Sequence, residues 1–214
     1  MPHPSLLAHE RLAWSRGFLL IGVDEVGRGP LAGPVVAAAC CFPIDHPGID
    51  GVRDSKAVKR PAEREELARA IIAEALCWSL GAASVREIAT HNIRRATALA
   101  MRRAVLRCQA KLPSGIEFVL LVDGLAVPEL GMAHQPLVKG DAHCHAIAAA
   151  ALLAKVARDR LMVSLSRRRP GYGWESNVGY GSAAHIAALR TLGLTPHHRA
   201  QFCETATSQR SLFG

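Results

Sequence analysis

No stretch of this sequence is apolar for anything near the roughly 18 residues that cross a membrane. The longest such run, Ala146 to Ala154, has nine residues. The first 17 residues hold no apolar block of the secretory-leader kind. A cytoplasmic protein without a membrane partner is therefore expected. Paired cysteines are missing too. Cys40 and Cys41 are adjacent, Cys77, Cys108, Cys144 and Cys203 are scattered, and no CxxC occurs. That pattern speaks against a zinc ribbon or a dithiol redox motif, and predicts reduced, mostly buried thiols. There is no internal repeat, no low-complexity tract and no Walker phosphate loop. No Ser/His/Asp or Cys/His set stands out as a nucleophilic site.

Acids are scarce where bases are dense. Residues 155–214 carry nine Lys/Arg against three Asp/Glu, and His91 to Lys111 has six bases and no acid. The whole chain of 214 residues has a net charge of +8. A basic surface favours a polyanion such as nucleic acid, although a solvated Arg-rich face has the same composition. Half of the residues are apolar, enough for the core of one domain, alone or with a small appendage.

Phe18 to Glu25, Gly33 to Phe42 and Leu76 to Ala83 read as three early strands. Pro61 suits the first position of a helix running to about Ala75, with glutamates in its first turn. His91 to Lys111 reads as a second helix. Ile116 to Val122 is a buried-type strand ending on Asp123-Gly124, and Gln135 to Val138 a short further strand. His145 to Leu165 is a long helix, Arg167 to Gly181 a loop, and Ser182 to Leu192 a short helix. Three strands in succession suggest a meander. Strands alternating with helices after it suggest an α/β fold with a mixed sheet.

Four acids interrupt apolar sequence. Asp24 and Glu25 end the first strand, Asp123 ends the strand FVLLV, and Asp141 precedes the long helix. Burying an unpaired carboxylate costs several kcal/mol. Taken singly, each acid reads as a strand-end cap or a salt-bridged group. Acids at the ends of adjacent strands can converge, and converged acids need cations. Hard divalent ions with oxygen ligands, Mg²⁺ or Mn²⁺, are the natural solution. One objection is geometric: adjacent strand residues face opposite ways. Asp24 and Glu25 meet one ion only if the backbone bends near Gly27; otherwise Glu25 serves a second ion or acts through its carbonyl.

Gly27-Arg28-Gly29 follows, with Gly33 beyond. The G-x-G-x-x-x-G spacing, leading into a strand, is not the dinucleotide fingerprint. Glycines here supply close backbone approach and positive φ. A tight hairpin turn and a ligand-contacting loop both fit.

In combination, GVDEVGRGPLAGPVV, the triplets DSK (Asp54 to Lys56), VDG (Val122 to Gly124) and KGD (Lys139 to Asp141), LAKVARDRLM (Leu153 to Met162) and HHR with Phe202 stand in one register. Over about residues 18–205 the chain resembles bacterial ribonuclease HII, the type 2 ribonuclease H. The resemblance implies the ribonuclease H-like α/β fold. That is a five-stranded mixed sheet, its first three strands antiparallel, flanked by helices and ending in a small helical part. It implies that Asp24, Glu25, Asp123 and Asp141 are the catalytic, metal-binding set, holding two Mg²⁺ or Mn²⁺ ions. The implied reaction is hydrolysis of RNA paired with DNA. It extends to nicking 5′ of ribonucleotides embedded in duplex DNA, leaving 3′-hydroxyl and 5′-phosphate ends. Gly27, Arg28 and Gly29 would lie against the sugar and read its 2′-hydroxyl. Tyr180 would pack at that sugar, with Tyr172 a weaker candidate. Lys56, Lys155, Arg158 and Arg199 would contact phosphates or brace the site.

The chain departs from the family at Glu175 to Val178, where HKGY is usual before the tyrosine, at Ala148 to Ala151, and at Arg53. These changes bear on affinity and substrate preference. His143-Cys144-His145 is read as sequence drift at the start of a helix, not a metal site, and His197-His198 as structural or phosphate-facing, not a catalytic base. A DNA nuclease of the same fold and a non-catalytic nucleic-acid-binding module are the competing functions. Residues 1–17 are taken as an extension, 18–205 as the domain and 206–214 as a tail. A monomer is expected, and a sliding-clamp contact through Leu212-Phe213 is only a guess.

Overall fold

A computed structural model describes residues 4–52, 58 and 60–211. The early apolar runs fold as β1 (Leu19–Val26), β2 (Val35–Cys41) and β3 (Cys77–Ala83). Later come β4 (Phe118–Asp123) and β5 (Gln135–Leu137). All five make one sheet in the order β3-β2-β1-β4-β5. β1, β2 and β3 pair antiparallel, while β4 and β5 join in parallel beside β1. The expected mixed sheet is thus present.

Helices cover both faces, which is why every residue of β2 is buried. On one face lie α2 (Pro61–Glu74) and the long α5 (His145–Arg168); on the other lies α3 (Val85–Gln109). β1 divides its side chains between them by simple alternation. Leu19, Ile21 and Val23 join the core under α3, and Leu20 joins the core under α5.

Two glycines set how closely the layers approach. A methyl group at Gly22 would overlap the backbone of Ala146 and Ile147, and one at Gly81 would overlap the carbonyl oxygen of Ala100. The alanines at 146, 148, 149, 150 and 151 keep the start of α5 slim enough to sit there.

The sequence reading placed the start of α3 at His91. The helix starts earlier, at Val85, because Ser84 and Glu87 form a reciprocal capping box. It then breaks at Asn92, whose backbone is left-handed, φ 65°. The Asn92 side chain accepts from the Arg95 amide at 3.1 Å and starts a new helical segment. The periodic stretch expected from His91 is this second segment.

Near the N-terminus, α1 (Ala8–Trp14) buries Ala13 and Trp14. Its Glu10 accepts from the Ala146 amide at 2.8 Å and from the Cys144 thiol, and so caps α5. After α5, within the stretch expected to be a loop, comes α6 (Trp174–Asn177). Then follow α7 (Ala183–Leu192) and α8 (Ala200–Ser211). They enclose a smaller core of Leu31, Met162, Tyr172, Trp174, Ile186 and Leu189. All six cysteines are buried free thiols. Among the described residues no helix is long and apolar enough to cross a membrane.

Gly22→Ala should be among the most damaging single-methyl additions in the chain. It must push α5 off β1, at a cost of about 3 kcal/mol or more. Urea unfolding checks this; a loss below about 1 kcal/mol would mean that α5 is not seated on the strand.

Candidate active site

Asp24, Glu25, Asp123 and Asp141 come from three different elements and line one cleft of about 460 Å³, together with Lys155 and Tyr180. Asp24 and Glu25 end β1, Asp123 ends β4, and Asp141 lies in the short helix α4 (Gly140–His143). The backbone bend considered near Gly27 is not how the first two acids meet. β1 stays regular through Val26, which pairs with Val36. Its pairing with β4 stops earlier, at Val23 and Val122. Beyond that point the β1 edge is open, so side chains from both of its faces reach the same cleft.

Asp24 is the most burdened of the four. Its carboxylate accepts the Glu25 amide at 2.7 Å. Burial holds its pKa well above the ordinary value, and the charges of Glu25, Asp123 and Asp141 add to the effect. Burial raises Glu25 as well, opposed by Arg28, whose guanidinium lies 3.2 Å away. Asp123 is held by the Gly140 amide at 2.6 Å, which ties β4 to the turn carrying Asp141. Lys155 has its ammonium on Asp159, 2.8 Å away.

Among the described residues no three Asp, Glu, His or Cys side chains close into a cage around one point. The acids instead form an open, all-oxygen set. That suits a hard cation that keeps part of its water shell. The cleft continues at both ends. One neighbouring cavity of about 540 Å³ shares Glu25 and Asp123 and adds Arg28 and Arg94. The other, about 530 Å³, shares Lys155 and adds Arg64, Arg160 and Arg167. Basic side chains therefore flank the acids along one trough, several of them paired: Arg94 with Glu129, Arg64 with Asp159 and Arg160 with Glu65.

The segment after β1 packs against two buried arginines. Arg158 donates to the carbonyls of Ala32, Pro34 and Val178 at 2.9–3.0 Å. Arg199 donates to those of Gly27, Arg28 and Gly33 at 2.6–3.0 Å. Their exposures are 0% and 3%. Of the two roles expected for them, this geometry is bracing; neither guanidinium is presented to a phosphate. The glycines follow suit. Methyl groups at Gly27 and Gly33, both at positive φ, would overlap Arg158 and Met162. Gly29 differs: its φ is not left-handed, and the nearest atom to a methyl there is in the Tyr180 ring, 4.0 Å away.

Tyr180 is half exposed at the cleft, while its backbone is anchored from behind. The Tyr180 carbonyl meets Nδ1 of His185 at 2.8 Å. Nε2 of His185 faces Trp174 Nε1 and His198 Nε2, both at 3.1 Å. On its other side, His198 Nδ1 accepts the Thr195 amide at 2.9 Å. One neutral tautomer satisfies each ring: His185 donates through Nδ1 and His198 through Nε2. Burial lowers the pKa of both, that of His198 to about 4, with the charges of His185 and His197 adding to it. The sequence reading missed His185; its only local signal is its place three residues after Ser182, which caps α7.

Other expected residues fall elsewhere. Tyr172 lies in the C-terminal core, stacked on Trp174 at 5.1 Å, with its hydroxyl on the Gly193 carbonyl. It is not at the cleft. His145 accepts the Ile49 amide and Cys144 donates to Glu10, so the His143-Cys144-His145 triplet diverges. Glu175 accepts from the Ser166 hydroxyl, which ties it to α5. Lys56 and Leu212-Phe213 lie outside the described residues.

Comparison with known proteins places this chain in a family. The sequence model described as Ribonuclease HII matches residues 21–205. The ribonuclease HII of Roseobacter denitrificans is 51% identical over 183 residues, 85% of this chain and 88% of that one. That of an Acidovorax species is 48% identical over 202 residues, 94% and 93% of the two chains. Among solved structures, the ribonuclease H2 of Pyrococcus horikoshii superposes with a TM-score of 0.67 at 24% identity, covering 90% and 98%. Bst-RNase HIII in complex with Mn²⁺ superposes with a TM-score of 0.70 at 20% identity, covering 96% and 73%. An Archaeoglobus fulgidus RNase HII solved with PCNA gives 0.66 at 22%, covering 85% and 94%.

Two outcomes follow from the charges. Because the folded pKa of Asp24 is raised, its ionised form opposes folding above the unfolded value, and the penalty is absent in acid. Without divalent ions at pH 8, Asp24→Asn should therefore melt a few degrees higher than the wild type. Added Mn²⁺ should stabilise only the wild type. A lower melting temperature for the variant would contradict this. His198 behaves in the opposite sense: the unfolded chain binds its proton near pH 6.5, the fold only near 4. Stability should fall as pH drops between those values, and His198→Asn should flatten that decline in urea midpoints taken across the range.

Proposed function

We propose that this chain, which belongs to the ribonuclease HII family, nicks DNA duplexes on the 5′ side of an embedded ribonucleotide and cuts the RNA strand of RNA–DNA hybrids. That it is a ribonuclease H follows from the family. The finer reading rests on one observation: four acids and Tyr180 line one cleft, and the bare backbone at Gly29 lies beside the Tyr180 ring. Gly27 and Gly33 are required by the protein's own packing; Gly29 is not. Its missing side chain leaves bare backbone beside the tyrosine ring, where a sugar would be read.

Asp24, Glu25, Asp123 and Asp141 would hold two Mg²⁺ or Mn²⁺ ions. Such ions supply the positive charge that polarises a phosphodiester and activates water. The chain itself does the rest. Gly27, Arg28 and Gly29 present backbone to the 2′-hydroxyl, the group that distinguishes RNA from DNA. Tyr180 packs against the sugar. Arg28 covers Glu25 and exchanges that contact for a phosphate when substrate arrives. Lys155, Arg64 and Arg167 line the trough along which the backbone runs. No side-chain nucleophile is used.

We take the protein to act as a monomer in the cytoplasm, where its six buried thiols stay reduced. A sliding clamp is a further candidate partner, by analogy with the Archaeoglobus fulgidus neighbour solved with PCNA.

The decisive assay uses a labelled DNA duplex with one ribonucleotide, beside an all-DNA duplex, with Mg²⁺ or Mn²⁺ and an EDTA control. A single cut 5′ of the ribonucleotide is expected. It should be lost with EDTA and reduced at least about a hundredfold in Asp24→Asn. Equal cutting of the all-DNA duplex would refute the ribose reading and leave a general nuclease.

A further inference from the structure

The carbonyls and amides of the loop after β1 are used very unequally. Arg199 takes the Gly27, Arg28 and Gly33 carbonyls, and Arg158 takes those of Ala32 and Pro34. The Leu31 carbonyl accepts the Arg199 amide at 2.7 Å. On the donor side, the Leu31 and Ala32 amides reach the Gly179 carbonyl, and the Gly33 amide reaches that of His197. Pro30 has no amide hydrogen. The Arg28 and Gly29 amides have no acceptor among the described contacts.

Peptide geometry says where those two point. No described peptide bond is cis, and in a trans unit the N–H points opposite to the C=O. The Gly27 carbonyl shares its peptide plane with the Arg28 amide, and the Arg28 carbonyl shares its plane with the Gly29 amide. Both carbonyls point inward, to one guanidinium. Both N–H groups therefore point outward, on the exposed side of the loop where Gly29 faces the Tyr180 ring. Backbone donors are normally satisfied; here two neighbours are left over side by side.

We propose that Arg199 is a positioning residue for sugar recognition: by gripping the Gly27 and Arg28 carbonyls it aims two adjacent amides at a ribose 2′-oxygen. This rests on the ribonucleotide-nicking reading above. The planar fork of arginine is essential, because one flat group must reach three carbonyls from fixed directions. A lysine ammonium keeps the charge but has no such fork. Arg158 secures the far half of the loop and the Val178 carbonyl, two residues before Tyr180, so the amides and the ring share one buried frame.

The test is Arg199→Lys, with duplex binding measured in the Asp24→Asn background so that nothing is cut. The affinity ratio between the one-ribonucleotide duplex and the all-DNA duplex should fall about tenfold. All-DNA affinity should stay the same, as should the Mn²⁺-induced rise in melting temperature of Arg199→Lys with Asp24 intact. Equal loss on both duplexes would mean that the amides hold a phosphate oxygen, and would overturn the proposal, as would an unchanged ratio. If Arg199→Lys does not fold, amide NMR of the Asp24→Asn protein decides. The Arg28 and Gly29 resonances should move with the ribonucleotide duplex and not with the all-DNA one; resonances that stay put overturn it. A wild type that cuts both duplexes, or neither, sinks the ribonucleotide-nicking reading itself. One that cuts selectively while Arg199→Lys still discriminates sinks only this inference.

Discussion

The seating of α5 on β1 at Gly22 is the contact from which the rest of the site is measured. With no side chain between them, the helix lies directly on the strand that carries Asp24 and Glu25 two and three residues later. The turn bearing Asp141 leads into that helix, and Lys155 and Arg158 stand farther along it. One close steric contact thus sets the distance between two acids, a trough lysine and the arginine that braces the neighbouring loop. Glu10 fastens the same end of α5 from α1, through the Ala146 amide. Residues near the N-terminus therefore take part in placing the acids.

The cleft works against the fold that builds it. Asp24 is buried among three other carboxylates, while Arg28 pairs with Glu25 and Lys155 with Asp159. Replacing these acids with neutral residues would relieve repulsion but remove the charge that attracts hard cations. For the proposed active site this is the familiar conflict between function and stability. The surrounding architecture tolerates it because the acids sit at the open end of the sheet, beyond the last β1–β4 pair, while the apolar layers behind are complete.

A second set of buried polar groups has the opposite character. Arg158, Arg199, His185 and His198 are nearly or fully enclosed, yet their donors and acceptors are matched to backbone or to one another. Satisfied networks of this kind hold one geometry firmly. Here they hold the loop after β1 and the backbone of Tyr180, so that Gly29 stays beside the tyrosine ring.

Much of this was legible in the residues. Strand alternation, the capped and apolar helices, and four acids interrupting apolar sequence, three at strand ends and one before the long helix, are local patterns, and they gave the mixed sheet and the metal-binding candidates. The family motifs pointed to Gly29 and Tyr180. Local pattern failed where a residue's role depends on what lies across the fold. Nothing within a few residues of Arg158 or Arg199 shows that they reach back to loop carbonyls more than 120 and 160 positions away. Nor does spacing separate Gly27 and Gly33, which make room for Arg158 and Met162, from Gly29, which makes room for nothing in the protein. The sequence by itself determined the acids, the elements that carry them and the family; which basic residues face the trough and which are buried braces was decided only by tertiary packing, because burial and hydrogen-bond partners depend on contacts between distant segments.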